Sequence, residues 1–234
     1  MWRISASKGN GAAVSAPAGP ERDMRPWFYR FCRFLFRVYF YLYHRGRVYN
    51  AERLPDDGAF LLAGNHISFL DPPFFGLACR REAFYLARDT LFRNPVSNWI
   101  LRGWNCVPIS RERGDIGAMR TMLRLLGEGK AVLMFPEGTR SQNGQLQEPR
   151  GGIGMIAARA NVPIVPMRIF GTDRALPKGA RLPRPAKVEI KFGEPFLYPL
   201  PADFEKLRGD ALKAVYLEIG RETMRRIAVL EAKG

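Results

Sequence analysis

The residues with the clearest potential for chemistry form a histidine–carboxylate pair. His66 follows the apolar segment 59–65, and four residues separate it from Asp71, which two prolines follow. Across the turn between a strand and a helix, Asp71 can bind one imidazole nitrogen and stabilise the imidazolium, while the other nitrogen accepts a proton. The chain has no Gly-x-Ser-x-Gly elbow and no suitably placed cysteine, so the pair is predicted to activate a substrate hydroxyl. The alternative is a helix cap at Asp71 beside an ordinary surface histidine.

A second group of polar side chains follows another apolar segment. The apolar segment 131–135 leads into the run Phe135-Pro136-Glu137-Gly138-Thr139-Arg140-Ser141, which begins at its last residue. Arg111 follows the apolar segment 104–110. A turn of this kind suits a polyol phosphate, because a guanidinium binds phosphate and a carboxylate accepts from a hydroxyl. If these strands are parallel, their carboxyl ends bring the histidine pair, Arg111 and the second group to one edge of a sheet.

The elements that must position these side chains alternate between strand and helix patterns. This alternation predicts an α/β fold with a largely parallel sheet flanked by helices on both faces. A short strand begins near Arg47, and the last helix could break near Gly220. The other predicted strands are 59–65, 83–88, 104–110, 131–135, 162–169 and 187–193, and the predicted helices are 71–81, 115–129, 152–161 and 203–232.

The segment 26–44 is unusually aromatic, since ten of its nineteen residues are Phe, Tyr or Trp. Arg30, Arg33 and Arg37 share one helical face, and apolar residues cover the rest. Because no uncharged apolar run reaches about 18 residues, a transmembrane helix is not predicted. An arginine stripe opposite an aromatic face is typical of a membrane-interface helix whose arginines meet lipid phosphates. A helix docked on the protein's own core is the alternative.

The chain divides into three parts by composition. Residues 1–24 are dominated by Gly, Ala, Ser and Pro and are predicted to be a disordered tail. This tail lacks the apolar core of a secretory signal, so we do not expect export. Residues 25–46 are then the membrane-associating helix, and 47–234 are one domain without repeats.

Composition and charge restrict the classes of partner. Apolar residues at 47% and charged residues at 25% are ordinary for a globular protein. Three separated cysteines argue against a disulfide framework, and two histidines argue against a histidine-rich metal site. We expect no metal ion, because Asp71 and Glu137 lack companion ligands at useful spacing. A net charge of +15 predicts anionic partners, and without zinc-finger spacing or an RNP-like block we expect no nucleic acid among them.

Four ordered blocks of the chain resemble those of the glycerophospholipid acyltransferases, most closely the bacterial 1-acylglycerol-3-phosphate acyltransferase type. The resemblance covers residues 47–195, and the block FPEGTRS is its most specific part. One departure lies in the second block, which reads Val-Pro-Ile-Ser-Arg where many members carry a Gly-Phe-Ile-x-Arg-like run. The four blocks are His66–Asp71, Val107–Arg111, Phe135–Ser141 and Val162–Pro166.

The resemblance implies a cleft that transfers a fatty acyl group from acyl-CoA or acyl carrier protein to the sn-2 hydroxyl of lysophosphatidate. It implies His66 as the general base and Asp71 as its partner, at the cytoplasmic face of the membrane. No cofactor is implied beyond the acyl-donor substrate. The implied partners are a lysophospholipid acceptor, the donor and an anionic membrane surface. The implied substrate-binding residues are Arg111, Glu137, Gly138, Thr139 and Arg140.

Two alternatives to this function stay open at the level of sequence. The same blocks occur in enzymes that acylate dihydroxyacetone phosphate, lyso-ornithine lipid or other lysophospholipids. The aromatic segment 26–44 by itself would also suit a non-catalytic lipid-binding protein at a membrane surface. The pairing of His66 with Asp71 near phosphate-binding side chains favours the enzyme.

Overall fold

A seven-stranded sheet organises the protein. The computed structural model describes residues 26–109 and 116–232, so the predicted disordered tail lies outside the described residues. The strand order is β1-β7-β6-β2-β5-β3-β4, and β6 with β7 is its one antiparallel pair. The strands are β1 (Arg47–Tyr49), β2 (Phe60–Gly64), β3 (Ala83–Arg88), β4 (Cys106–Ile109), β5 (Ala131–Met134), β6 (Ile164–Phe170) and β7 (Glu189–Phe192).

Helices cover both faces of this sheet, which confirms the predicted α/β class. A short π-helical turn, Tyr39–Tyr43, continues the first helix. The helices are α1 (Pro26–Val38), α2 (Asp71–Ala78), α3 (Pro95–Gly103), α4 (Ile116–Gly127), α5 (Gly152–Ala160), α6 (Thr172–Ala175) and α7 (Gly209–Ala228).

The sheet separates two apolar cores, because alternate strand residues point to opposite faces. On β2, Leu62 packs in the core beneath α1 and α2, while Leu61 packs in the core beneath α4, α5 and α7. Both residues are completely buried, and every residue of β2 is buried. Strands buried on both faces explain why the sequence shows continuous apolar runs in place of alternation.

Three helices differ from the sequence prediction, and one of them is the short α6, which was not predicted. The last helix begins at Gly209 and runs unbroken through Gly220, whose missing side chain lets the helix approach Pro149 closely. Helix α3 was not predicted, although Asn94 and Pro95 signal its start. The Asn94 side chain accepts hydrogen bonds from the Val96 and Ser97 backbone amides, at 2.9 and 3.2 Å.

Helix α1 has one docked face and one exposed face. Phe28, Tyr29 and, in the following turn, Phe40 are buried against the domain. Arg33 and Arg37 donate to backbone oxygens at the end of α2, so these two arginines dock the helix, which differs from the expected contact with lipid phosphates. The exposed apolar face consists of Trp27, Phe31, Phe34, Leu35, Val38, Tyr41 and Leu42.

No helix within residues 26–109 and 116–232 is long and apolar enough to cross a membrane. The sequence allowed either a membrane-interface helix or a helix docked on the core, and α1 has features of both. It is docked on the core, and it also presents a continuous aromatic face outward.

The contact between α5 and α7 provides a test of this packing. A Cβ atom at Gly154 would lie 1.9 Å from the Tyr216 backbone oxygen, so Gly154→Ala forces the two helices apart. We expect it to lower the free energy of unfolding by about 1–3 kcal/mol in urea denaturation. Gly152→Ala, on the same helix but with no neighbouring atom within 4 Å, should leave the stability unchanged or slightly higher. Equal stability of both variants would show that α5 and α7 are not in close contact.

Candidate active site

Three adjacent parallel strands bring the predicted chemistry to one edge of the sheet. Strand β2 lies between β5 and β6 and is parallel to both. The chain leaves β2 into Asn65 and His66, leaves β5 into the run 135–141, and leaves β6 into Gly171 and Thr172. The carboxyl ends of all three strands therefore meet beside α2, which begins at Asp71.

The centre of this edge is the contact between His66 and Asp71. His66 Nδ1 lies 2.9 Å from Asp71 Oδ2. Because an ionised carboxylate only accepts hydrogen bonds, Nδ1 carries the proton and Nε2 keeps its lone pair. The Asp71 side chain has no solvent exposure, whereas the His66 side chain keeps 17% of its surface exposed. The imidazole can therefore reach a substrate while its carboxylate stays inside the protein.

Asp71 is held by three hydrogen bonds besides the one from His66. The backbone amides of Ile67 and Ser68 donate to Oδ2 at 2.6 and 2.7 Å, and the Thr172 hydroxyl donates to Oδ1 at 2.6 Å. These four hydrogen bonds fix the position of the Asp71 carboxylate against the imidazole of His66.

Two buried polar residues of this site were missed at the level of sequence. Thr172 lies 101 positions from Asp71, at the start of α6, and no local pattern marks it. Asn65 binds the backbone of Ile169 twice, donating to its oxygen at 3.0 Å and accepting from its nitrogen at 2.8 Å. The position of Asn65 directly before His66 was a signal that could have been used.

The imidazole is also positioned by the loop after β5. The Phe135 ring stacks on it, with ring centroids 4.1 Å apart and planes inclined by 16°. The His66 backbone nitrogen donates to Glu137 Oε1 at 3.3 Å, and its oxygen accepts from the Ser141 nitrogen at 2.7 Å. The loop after β5 is therefore in direct contact with the loop that carries His66.

Glu137 is buried beside the backbone of His66, and its pKa is raised. Burial raises its pKa from 4.5 to about 7, and repulsion by Asp71 adds to this, against the lowering effect of bonds from the His66 backbone and from Gln147. By distance and angle, Glu137 Oε2 accepts no hydrogen bond from a described residue, although Gln147 lies nearby. This oxygen is therefore buried without a hydrogen-bond partner among the described residues.

Arg140 is a partly exposed cation of the site. Its guanidinium carbon lies 3.5 Å from the centroid of the Phe69 ring, and the side chain makes no hydrogen bond or ion pair with any described residue. Stacking leaves the edge of a guanidinium free to bind an anion. Phe69 belongs to the loop between His66 and Asp71, so this edge lies near the imidazole.

Gly138 allows the turn that separates Glu137 from Arg140. Its φ of +69° favours glycine, and a Cβ atom there would lie 2.8 Å from Arg150 Cδ. Thr139 lies half-buried in the same turn. Arg111 falls in residues 110–115, outside the described residues, although β4 ends at the same edge of the sheet. Within the described residues there is no group of three or more potential metal ligands.

The comparison with known proteins identifies a common family. Residues 45–170 match the sequence model of the family called Acyltransferase. The chain is 30% identical over 168 residues to a 1-acyl-sn-glycerol-3-phosphate acyltransferase of Bacillus subtilis, which covers 71% of this chain and 81% of the relative. It is 28% identical to a chloroplastic 1-acyl-sn-glycerol-3-phosphate acyltransferase of Brassica napus over 68% of this chain.

A crystal structure shows the same fold. The 1-acyl-sn-glycerophosphate acyltransferase of Thermotoga maritima superimposes with a TM-score of 0.68 and 27% identity, over 88% of this chain and 81% of that one. The chain spans 47% of the length of the Brassica napus protein. It spans 40% of a chloroplastic 1-acyl-sn-glycerol-3-phosphate acyltransferase of Arabidopsis thaliana.

The raised pKa of Glu137 predicts a specific dependence of stability on pH. Between pH 4.5 and about 7 the folded protein holds a proton that the unfolded chain has released, so the free energy of unfolding falls as the pH rises. Glu137→Gln is neutral throughout and should be more stable than wild type at about pH 8 but similar near pH 4.5.

Melting temperatures measured across this pH range test the expectation. Glu148→Gln is the matched control, because Glu148 is an exposed carboxylate in the same loop and its removal should leave the pH dependence as in wild type. A Glu137→Gln profile parallel to that of wild type would show that this carboxylate titrates normally.

Proposed function

Because this chain belongs to the acyltransferase family, we propose that it transfers a fatty acyl group to the sn-2 hydroxyl of 1-acylglycerol-3-phosphate, giving phosphatidate for phospholipid biosynthesis. The acyl donor in this proposal is acyl-CoA or acyl carrier protein. The observation that carries it is the His66–Asp71 pair beside the stacked Arg140. This arrangement supplies a base for a hydroxyl and a cation for a phosphate within one edge of the sheet.

His66 begins the proposed reaction by accepting the proton of the acceptor hydroxyl at Nε2. The hydroxyl oxygen attacks the thioester carbonyl carbon, a C–O bond forms, and the C–S bond then breaks. The thiol group of the donor leaves and takes the proton back from the imidazolium. Asp71 stabilises the imidazolium between these two transfers, because its buried charge lies 2.9 Å from Nδ1.

The acceptor is recognised in this proposal by the loop after β5. Arg140 binds the phosphate in this proposal, and Arg111 is a second phosphate contact. Glu137 accepts from a hydroxyl of the acceptor, and the turn at Gly138 and Thr139 brings the glycerol close to the backbone. The left-handed conformation of Gly138 and the free guanidinium edge of Arg140 support these roles.

The protein is proposed to act as a peripheral enzyme on the cytoplasmic face of an anionic membrane. The acceptor is a lipid, and the exposed aromatic face of α1 would bring the site to the bilayer surface. This role uses the face opposite to the one that docks on α2. Assays of thiol release would reveal whether the acceptor is another lysolipid or whether the protein binds lipid without catalysis.

Removal of the base tests the reaction itself. His66→Ala should keep the fold but reduce thioester cleavage, measured by thiol release with lysophosphatidate, by at least about 10²–10⁴-fold. Asp71→Asn should lower the turnover number with little change in acceptor affinity, since Asp71 acts on His66 and not on the substrate. Near-normal turnover in folded His66→Ala protein would refute this mechanism, and wild-type protein that binds lipid without releasing thiol would be a lipid-binding protein.

Loss of Arg140 tests the assignment of the phosphate acceptor. A charge-assisted hydrogen bond to phosphate is strong enough that Arg140→Ala should raise the Michaelis constant for lysophosphatidate about ten- to a hundredfold. The constant for the donor should change less. Arg159→Ala removes an exposed arginine at the end of α5, far from this edge, and should leave both constants unchanged. Equal effects of Arg140→Ala on donor and acceptor would place the guanidinium at the donor.

A further inference from the structure

Helix α3 carries an exposed apolar face that the proposed reaction does not explain. Val96 is 64% exposed, Trp99 55% and Ile100 44%, and the preceding Leu91 is 49% exposed. The opposite side of α3 packs on the domain through Leu101. Large apolar side chains that are grouped and exposed mark an interaction surface, whereas isolated ones need no explanation.

This face is continuous with the exposed face of α1. The Trp99 ring contacts the Phe28 ring with centroids 4.2 Å apart, and Phe28 follows the exposed Trp27 on the next position of α1. The two helices are far apart in sequence, and the buried Phe28 and the exposed Trp99 join them beside their exposed faces. Neither face is covered by any described residue.

The charges around the combined surface suit an anionic bilayer. Arg30 on α1 and Arg93 before α3 are exposed and pair with no described acid. Exposed Arg102 closes the far end of α3, where it lies 5.9 Å from the Phe92 ring. A tryptophan among aliphatic side chains, bordered by arginines, matches the side-chain order of the interface between acyl chains and headgroups.

We propose that α3 is a second membrane-binding element, which inserts its apolar face into an anionic bilayer together with that of α1. The inference rests on the proposed membrane binding of α1 and names a further part of that surface. A domain bound through one interfacial helix can roll about the axis of that helix, whereas two helices joined through Phe28 and Trp99 define a plane. This plane fixes which side of the domain faces the lipid.

Neutral substitutions on α3 test the proposal without altering charge. Val96→Ser/Ile100→Ser should lower the partition coefficient for phosphatidylglycerol-containing vesicles, measured by sedimentation, on the order of tenfold or more. Val229→Ser/Leu197→Ser is the matched control, because both residues are exposed but Val229 follows α7 on the opposite face of the sheet. The control should bind as wild type does, and circular dichroism with melting temperatures verifies that every variant is folded.

The same assay separates this inference from the proposals on which it rests. Phe31→Ser/Phe34→Ser should weaken vesicle binding through α1. If the α1 variant weakens binding while the α3 variant does not, only the inference about α3 is overturned. If neither variant weakens binding, the membrane role of α1 is wrong as well. No substrate is present, so the outcome is independent of the acyl transfer reaction.

A probe at Val96 identifies the occupant of the surface. A polarity-sensitive fluorophore on Val96→Cys, in a Cys32→Ser background, should shift to the blue only when vesicles are added. The other two cysteines, Cys79 and Cys106, are buried. A blue-shifted signal without vesicles would overturn the proposal, because another occupant then covers the face. Sedimentation velocity would identify that occupant as a second copy of the chain, and removal of residues 1–22 would identify it as the N-terminal segment.

Discussion

The buried charge of Asp71 is the interaction on which the site depends. A carboxylate without solvent contact is costly to bury unless donors replace the lost water. Asp71 obtains four such donors from two parts of the chain: the loop after β2, which supplies two backbone amides and the imidazole of His66, and Thr172 after β6, which supplies a hydroxyl. The ends of two strands and the start of α2 are therefore held in one arrangement by the requirement to satisfy one anion.

The loop after β5 completes this arrangement from the other side of β2. It supplies Phe135, which stacks on the imidazole, and Glu137, which accepts from the backbone of His66. Two carboxylates of different character thus lie near one histidine. Asp71 is fully hydrogen-bonded, whereas Glu137 is buried with one oxygen unpaired among the described residues. Burial is the main cause of the raised pKa of Glu137, and repulsion by Asp71 adds to it.

The sequence predicted the features that depend on local patterns, and it missed those that depend on contacts between residues far apart in the chain. Buried parallel strands are short apolar runs, so β2, β5 and β6 were visible, and the order of four motif blocks indicated the family. Thr172 was not visible, because its partner lies 101 residues away. The docking of α1 could not be read from its aromatic residues either, since both of its faces are apolar and only the α2 carbonyls show which arginines turn inward.

The double hydrogen bond between Asn65 and Ile169 has a consequence for how this architecture can vary. The Asn65 side-chain amide takes the place of a backbone unit in the ladder between β2 and β6. The register of these two strands is therefore fixed in part by the side chain that directly precedes His66. Thr172 lies three positions after Ile169, and Asp71 lies five positions after His66. An insertion or deletion in either short interval would break the same network. The network around Asp71 therefore has two parts in the sequence, and the second is a fixed distance between Ile169 and Thr172 without a recognisable motif.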